Sequence, residues 1–119
     1  MSMTILSIPH PIEGSVDIVS EKADVVIKAH WPFDLEADDW VDITGRFRRE
    51  DLSRIAVGAM AQAGPHTIEL GQDCLTLECL GERFLFDLSR GGAMPKRLML
   101  EFPLEQLRAL GAATTRSDV

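Results

Sequence analysis

Histidine and cysteine are scarce in this 119-residue chain, which has three of the first and two of the second. His10, His30 and His66 lie in separate segments with no helical i,i+4 pair, so no metal site is expected. Cys74 and Cys79 are five residues apart. On one extended strand they would sit ~17 Å apart on opposite faces. That separation cannot be bridged, and two cysteines without a second pair do not make a zinc site. Both are expected reduced. The sequence also lacks a G-x-S-x-G elbow, a P-loop and a G-x-G-x-x-G turn. Gly91-Gly92 reads as a hairpin loop. The chain is therefore expected to be no enzyme and to need no cofactor. The longest wholly apolar run, Ile55 to Ala61, is too short to cross a bilayer. Residues 1–15 have no basic n-region, and Pro9 and Pro11 interrupt their apolar stretch. A cytoplasmic protein without membrane contact is expected. Basic residues are outnumbered, 12 against 19 acids, for a net charge of −7. Phosphate repels such a surface, which argues against sequence-independent nucleic-acid binding. The same charge would steer a basic partner inward.

What is present reads as one domain, residues 1–119. Residues 3–8 and 15–30 are extended, with a turn at Glu21-Lys22-Ala23. Residues 31–39 read as a loop. In 40–47, Val41, Ile43 and Phe47 face one way while Trp40, Asp42, Thr44 and Arg46 face the other. A helix is predicted over about 49–63, its buried stripe formed by Leu52, Ile55, Ala56, Ala59 and Ala63. It lacks a good capping side chain at its start, and Gly64-Pro65 ends it. Its other face carries Val57, Gly58 and Ala61. That face packs on a second layer or, less favoured, forms a homodimer contact. Leu80-Gly81-Glu82-Arg83 suits a two-residue hairpin. It would pair Cys79 with Phe84, Leu77 with Phe86 and Leu75 with Leu88, so that Cys79 is buried. For the preceding hairpin, a four-residue loop Gly71–Cys74 would set Ile68 opposite Leu77 and Leu70 opposite Leu75. A strand over about 96–102 leads to a short helix over about 103–111 opened by Pro103, and 112–119 reads as a frayed tail. No internal repeat is evident. Consecutive strands with segregated helices predict an α+β fold, an antiparallel sheet with one central helix and a short C-terminal one.

One constellation is dense. Asp34, Glu36, Asp38, Asp39 and Asp42 fall within nine residues. Read as a calcium loop, the run fails. Asp39 stands where glycine is needed and Gly45 where the closing glutamate belongs. Trp31 and Trp40, the only tryptophans, bracket it, and aromatic anchors ringed by charge are typical of binding hot spots. The expected partner-binding surface is therefore Trp31, Asp34, Glu36, Asp38, Asp39, Trp40 and Asp42.

The text ITGRFRREDL at 43–52, the helix after it, the strand run and LMLEFPLEQLRAL at 98–110 together resemble the small bacterial immunity proteins typified by the one that neutralises the toxin WapA. Glu50, Asp51 and Leu52 match that family's helix-opening triplet. Phe102, Leu104, Glu105, Gln106 and Leu107 resemble its closing strand-to-helix junction. The resemblance implies a non-enzymatic protein that binds and blocks a cognate toxin domain, and a nuclease would suit the acidic surface. The alternative is a small-molecule-binding or enzymatic α+β domain with a pocket between sheet and helix.

Overall fold

The computed structural model describes residues 2–115, and these form ten elements. β1 (Ser2–Pro9), β2 (Ser15–Glu21), β3 (Asp24–Asp34) and β4 (Asp39–Arg48) make one antiparallel meander, followed by α1 (Arg49–Ala61). β5 (His66–Leu70), β6 (Asp73–Leu80), β7 (Arg83–Arg90) and β8 (Lys96–Pro103) make a second, followed by α2 (Leu104–Thr115). The class is α+β, but with two four-stranded sheets where the pattern suggested one. Alternation tells which face of a strand is buried; it does not tell which sheet the strand joins.

The inner faces meet in one core. Val16, Ile18, Val25, Ile27 and Phe47 come from the first sheet, and Leu75, Leu77, Phe84, Phe86 and Leu88 from the second. The approach is close at Gly45, where a Cβ would stand 2.9 Å from Leu88 Cδ1. The helices seal the rest. Leu52, Ile55, Leu107 and Leu110 are almost wholly buried, each contributing roughly 1.5–3 kcal/mol. α1 ends at Ala61, two residues short of expectation, and Ala63 is exposed. α2 runs on to Thr115, with Thr114 buried, so residues 112–115 are helix rather than tail. Residues 116–119 of the predicted tail lie outside the described part.

An internal repeat is present after all. Phe47, Glu50, Leu52, Ile55, Ala56 and Ala59 recur at the same spacing as Phe102, Glu105, Leu107, Leu110, Gly111 and Thr114. The strand registers repeat too. Val25–Phe47 and Ala29–Ile43 in the first sheet correspond to Phe84–Phe102 and Leu88–Leu98 in the second. Both helices start the same way. The Arg49 N–H donates to the Ala23 carbonyl and the Leu104 N–H to the Glu82 carbonyl, each at 2.9 Å. A turn carbonyl thus satisfies a first-turn amide, although no side chain caps α1. The helices are also exchanged between the units. α1 packs on β5 and β6, α2 on β1, and the two helices on each other.

Two local readings change. The hairpin Leu80–Arg83 pairs as predicted, with Cys79 opposite Phe84 but only half-buried. The hairpin before it turns on two residues, Gly71 and Gln72, not four. Cys74 therefore lies in β6, Ile68 faces Leu75, and Leu70 faces Asp73. Asp73 is buried with one carboxylate oxygen hydrogen-bonded and the other, Oδ1, near a cation but without a hydrogen bond among the described residues. It accepts the Arg46 N–H at 2.9 Å and lies 3.5 Å from Arg90 Nε. Arg90 and Lys96 in turn donate to the Thr44 and Asp42 carbonyls. Side chains of the second unit thereby cover the free edge of β4.

Candidate functional site

β2 pairs with β3 only as far as Ser15–His30. β3 and β4 go on pairing through Trp31–Val41 and Pro32–Trp40 to Asp34–Asp39. Four residues of β3 therefore overhang the sheet, about 13 Å of strand. The segment 31–39 is thus mostly strand, and only Leu35–Asp38 turns. Asp34 Oδ1 accepts the N–H groups of Glu36 and Ala37, the way an aspartate stabilises a tight turn. Asp38 adopts φ 55°. The loop 10–14 braces the base of the overhang. Gly14 is required there, since a Cβ would lie 2.5 Å from the His30 carbonyl and the backbone has φ +104°.

The two tryptophans take opposite faces of this hairpin. Trp31 turns inward and packs its ring edge-on to Phe102, with centroids 5.7 Å apart. It closes the rim of the core. Trp40 turns outward. Its indole stacks on His30 at 4.3 Å and nearly parallel, and its N–H donates to Asp38 Oδ1 at 3.0 Å. His30 Nδ1 bonds the Asp42 carboxylate. Asp34, Glu36, Asp38 and Asp39 are exposed, and among the described residues none of them forms an ion pair. The tip also carries two apolar side chains that sequence reasoning passed over. Phe33 is 77% exposed and Leu35 is 38% exposed. The available signal was the alternation Trp31, Phe33, Leu35, which continues the β3 pattern through a stretch read as loop.

Ser15, His30 and Asp42 are cross-strand neighbours in that order, a sequence that invites comparison with a nucleophile, base and orienting acid. The Ser15 hydroxyl, however, donates to Asp17 at 3.2 Å rather than to His30. Among the described residues no cluster of histidine, cysteine, aspartate and glutamate is placed to hold a metal. Phe47, Phe84 and Phe86 are buried in the core between the sheets and helices. No helix of the described residues is long and apolar enough to cross a membrane. On the helix face considered for a homodimer, Gly58 lies under the His66 ring, 3.1 Å from where its Cβ would be. Val57 is half-exposed beside Gly111 of α2. Comparison of the chain with family models, with curated proteins and with solved structures finds no match.

Proposed function

We propose that this protein is an immunity or antitoxin protein that binds a cognate toxin domain and occludes it with the β3–β4 hairpin. The observation that carries the reading is the departure of that hairpin from the repeat. Thirteen residues join the paired positions Ala29 and Ile43, whereas nine join their equivalents Leu88 and Leu98. The frame closes without the extra four, so folding does not require them. The lengthened hairpin brings two exposed apolar side chains and four acids without an ion pair among the described residues to one projecting tip. Phe33 and Leu35 would supply the desolvated anchor, and Asp34, Glu36, Asp38 and Asp39 the steering charge. A nuclease, whose substrate-binding cleft is positive, is the toxin class that fits. Trp40 and Asp42 extend the surface down the outer face, and Trp31 supports the hairpin from behind.

The test starts with capture of the partner from the native cell on the tagged protein. Affinity is then measured for Phe33→Ala, for Trp40→Ala and for the triple replacement of Glu36, Asp38 and Asp39 by lysine. Phe33→Ala is expected to weaken binding by about 2 kcal/mol, near thirty-fold. The triple variant is expected to slow association and to reduce its salt dependence. If all three fold, bind and protect as the original does, the proposal fails.

A further inference from the structure

At the far end of β3 from the tip, the turn Lys22-Ala23, the start of α1 and the end of α2 enclose an open cleft of about 540 Å³. Lys22, Arg48, Arg49, Glu50, Ser53, Thr114 and Thr115 line it. Among the described residues three cations share this space, in a chain of net charge −7.

The repeat shows that the fold does not need them there. By register, Lys22, Arg48 and Arg49 stand where the second unit has Gly81, Pro103 and Leu104. Two of the exchanges, at Lys22 and Arg49, work against local structure, while Arg48 keeps an ordinary extended φ of −72°. Lys22 sits at φ 58° and Gly81 at φ 79°, a conformation that glycine adopts freely and a residue with a Cβ does not. Arg48 replaces a proline whose fixed φ suits entry into a helix. Arg49 replaces a leucine packed on the core. Its Nε is buried without a hydrogen-bond partner among the described residues, and an unmet buried donor is unfavourable. All three departures add positive charge to the same cleft. Strain concentrated at one place points to function.

We propose that this cleft binds a phosphate-type oxyanion. The guanidinium of Arg49 offers the fork of donors that pairs with phosphate oxygens, Lys22 and Arg48 add charge, and Ser53 adds a hydroxyl. Thr114 and Thr115 donate their hydroxyl protons back to α2 carbonyls and serve as wall. Two acids lie close by. Glu50 lines the rim, and Asp24 is 3.9 Å from Arg48. Glu50 has its counterpart in Glu105 and so belongs to the shared frame. The ligand is a free phosphate or a phosphomonoester, and the donors present serve both.

The test is a titration of the full chain followed by amide NMR, with inorganic phosphate, a nucleoside monophosphate and sodium chloride of matched ionic strength in separate arms. Saturable shifts at Lys22, Ala23, Arg49 and Ser53 with phosphate in the millimolar range, absent with chloride, are expected. Equal affinity for both phosphates would make the free ion sufficient, and tighter binding of the nucleotide would assign the ester. Lys22→Gly and Arg49→Leu, which install the second unit's residues, are each expected to lower affinity at least tenfold. Each should also raise the melting temperature without ligand. No shift beyond the chloride control overturns the proposal. So does unchanged affinity in both variants, or a Lys22→Gly protein that melts lower than the original.

Discussion

Replacing Phe33–Asp39 by Asn-Gly should leave the fold standing while removing the tip. The replacement joins the paired residues Pro32 and Trp40 through a two-residue turn of the preferred kind. Phe33, 77% exposed, gives up only ~45 Å² of burial, and Leu35, 38% exposed, ~110 Å²; at 25 cal/mol/Å² these sum to about 4 kcal/mol. The hydrogen bond from Trp40 to Asp38 adds about 1 kcal/mol. Against this, five fewer residues need ordering, which relieves about 5–10 kcal/mol. The sum runs from neutral to a gain of a few kcal/mol, and the net charge moves from −7 to −3 as four acids leave. Urea denaturation followed by circular dichroism measures the change, and a protection assay against the captured partner measures function. A loss of more than about 2 kcal/mol would show that the overhang is structural, and the argument from the repeat would collapse. A trimmed protein that still protects would place the contact surface elsewhere.

The repeat makes a matched pair of core truncations. Leu52→Ala and Leu107→Ala, at equivalent buried positions, should each cost about 2–5 kcal/mol in chemical denaturation, whereas Met99→Ala, half-exposed on β8, should stay within about 0.5 kcal/mol. A Gly45→Ala variant forces a methyl group toward Leu88 and should cost about 1–3 kcal/mol, read as a lowered melting temperature. Both cysteines should remain free, shown by an intact mass that reductant does not change. Burial foremost, with help from the nearby Glu69 carboxylate, pushes the Cys74 thiol above its ordinary range. Near pH 8 its thiolate fraction is therefore reduced, and iodoacetamide should modify Cys74 more slowly in the native protein than in denaturant. Equal rates would contradict the described environment.

Much of this was legible in the residues. The inward face of β4, the stripe on α1 and the register at Leu80–Arg83 all follow from periodicity and turn chemistry. The hairpin at Gly71 was misread for a definite reason. Loops of two and of four residues differ by a two-residue slip, which keeps every side chain on its face. The two-residue loop sets Asp73 opposite Leu70, and the Asp73 carboxylate has its contacts with the Arg46 amide and Arg90, both distant in sequence. The repeat was hidden because the matched core positions keep only character in most cases, as with Ile55 and Leu110 or Ala56 and Gly111. The opposed faces of Trp31 and Trp40 depend on where the turn lies, and the register shift between Pro32 and Asp34 obscured it. Phe33 went unnoticed because its segment was assigned to loop.

The covered edge of β4 also has a consequence in time. During synthesis the first unit emerges with its outermost strand bare and with α1 lacking β5 and β6 to lie on. Asp73, Arg90 and Lys96 arrive only as residues 62–115 follow, about 3–11 s later at ~5–20 residues per second. For that interval the nascent chain presents an unpaired strand edge and an apolar helix face together, the combination most open to pairing with a neighbouring chain. The synthesis of residues 62–115 is therefore when faults in this protein's assembly should concentrate. Substitutions at Asp73 or Arg90 should lower the yield of soluble protein by more than their effect on the finished fold accounts for.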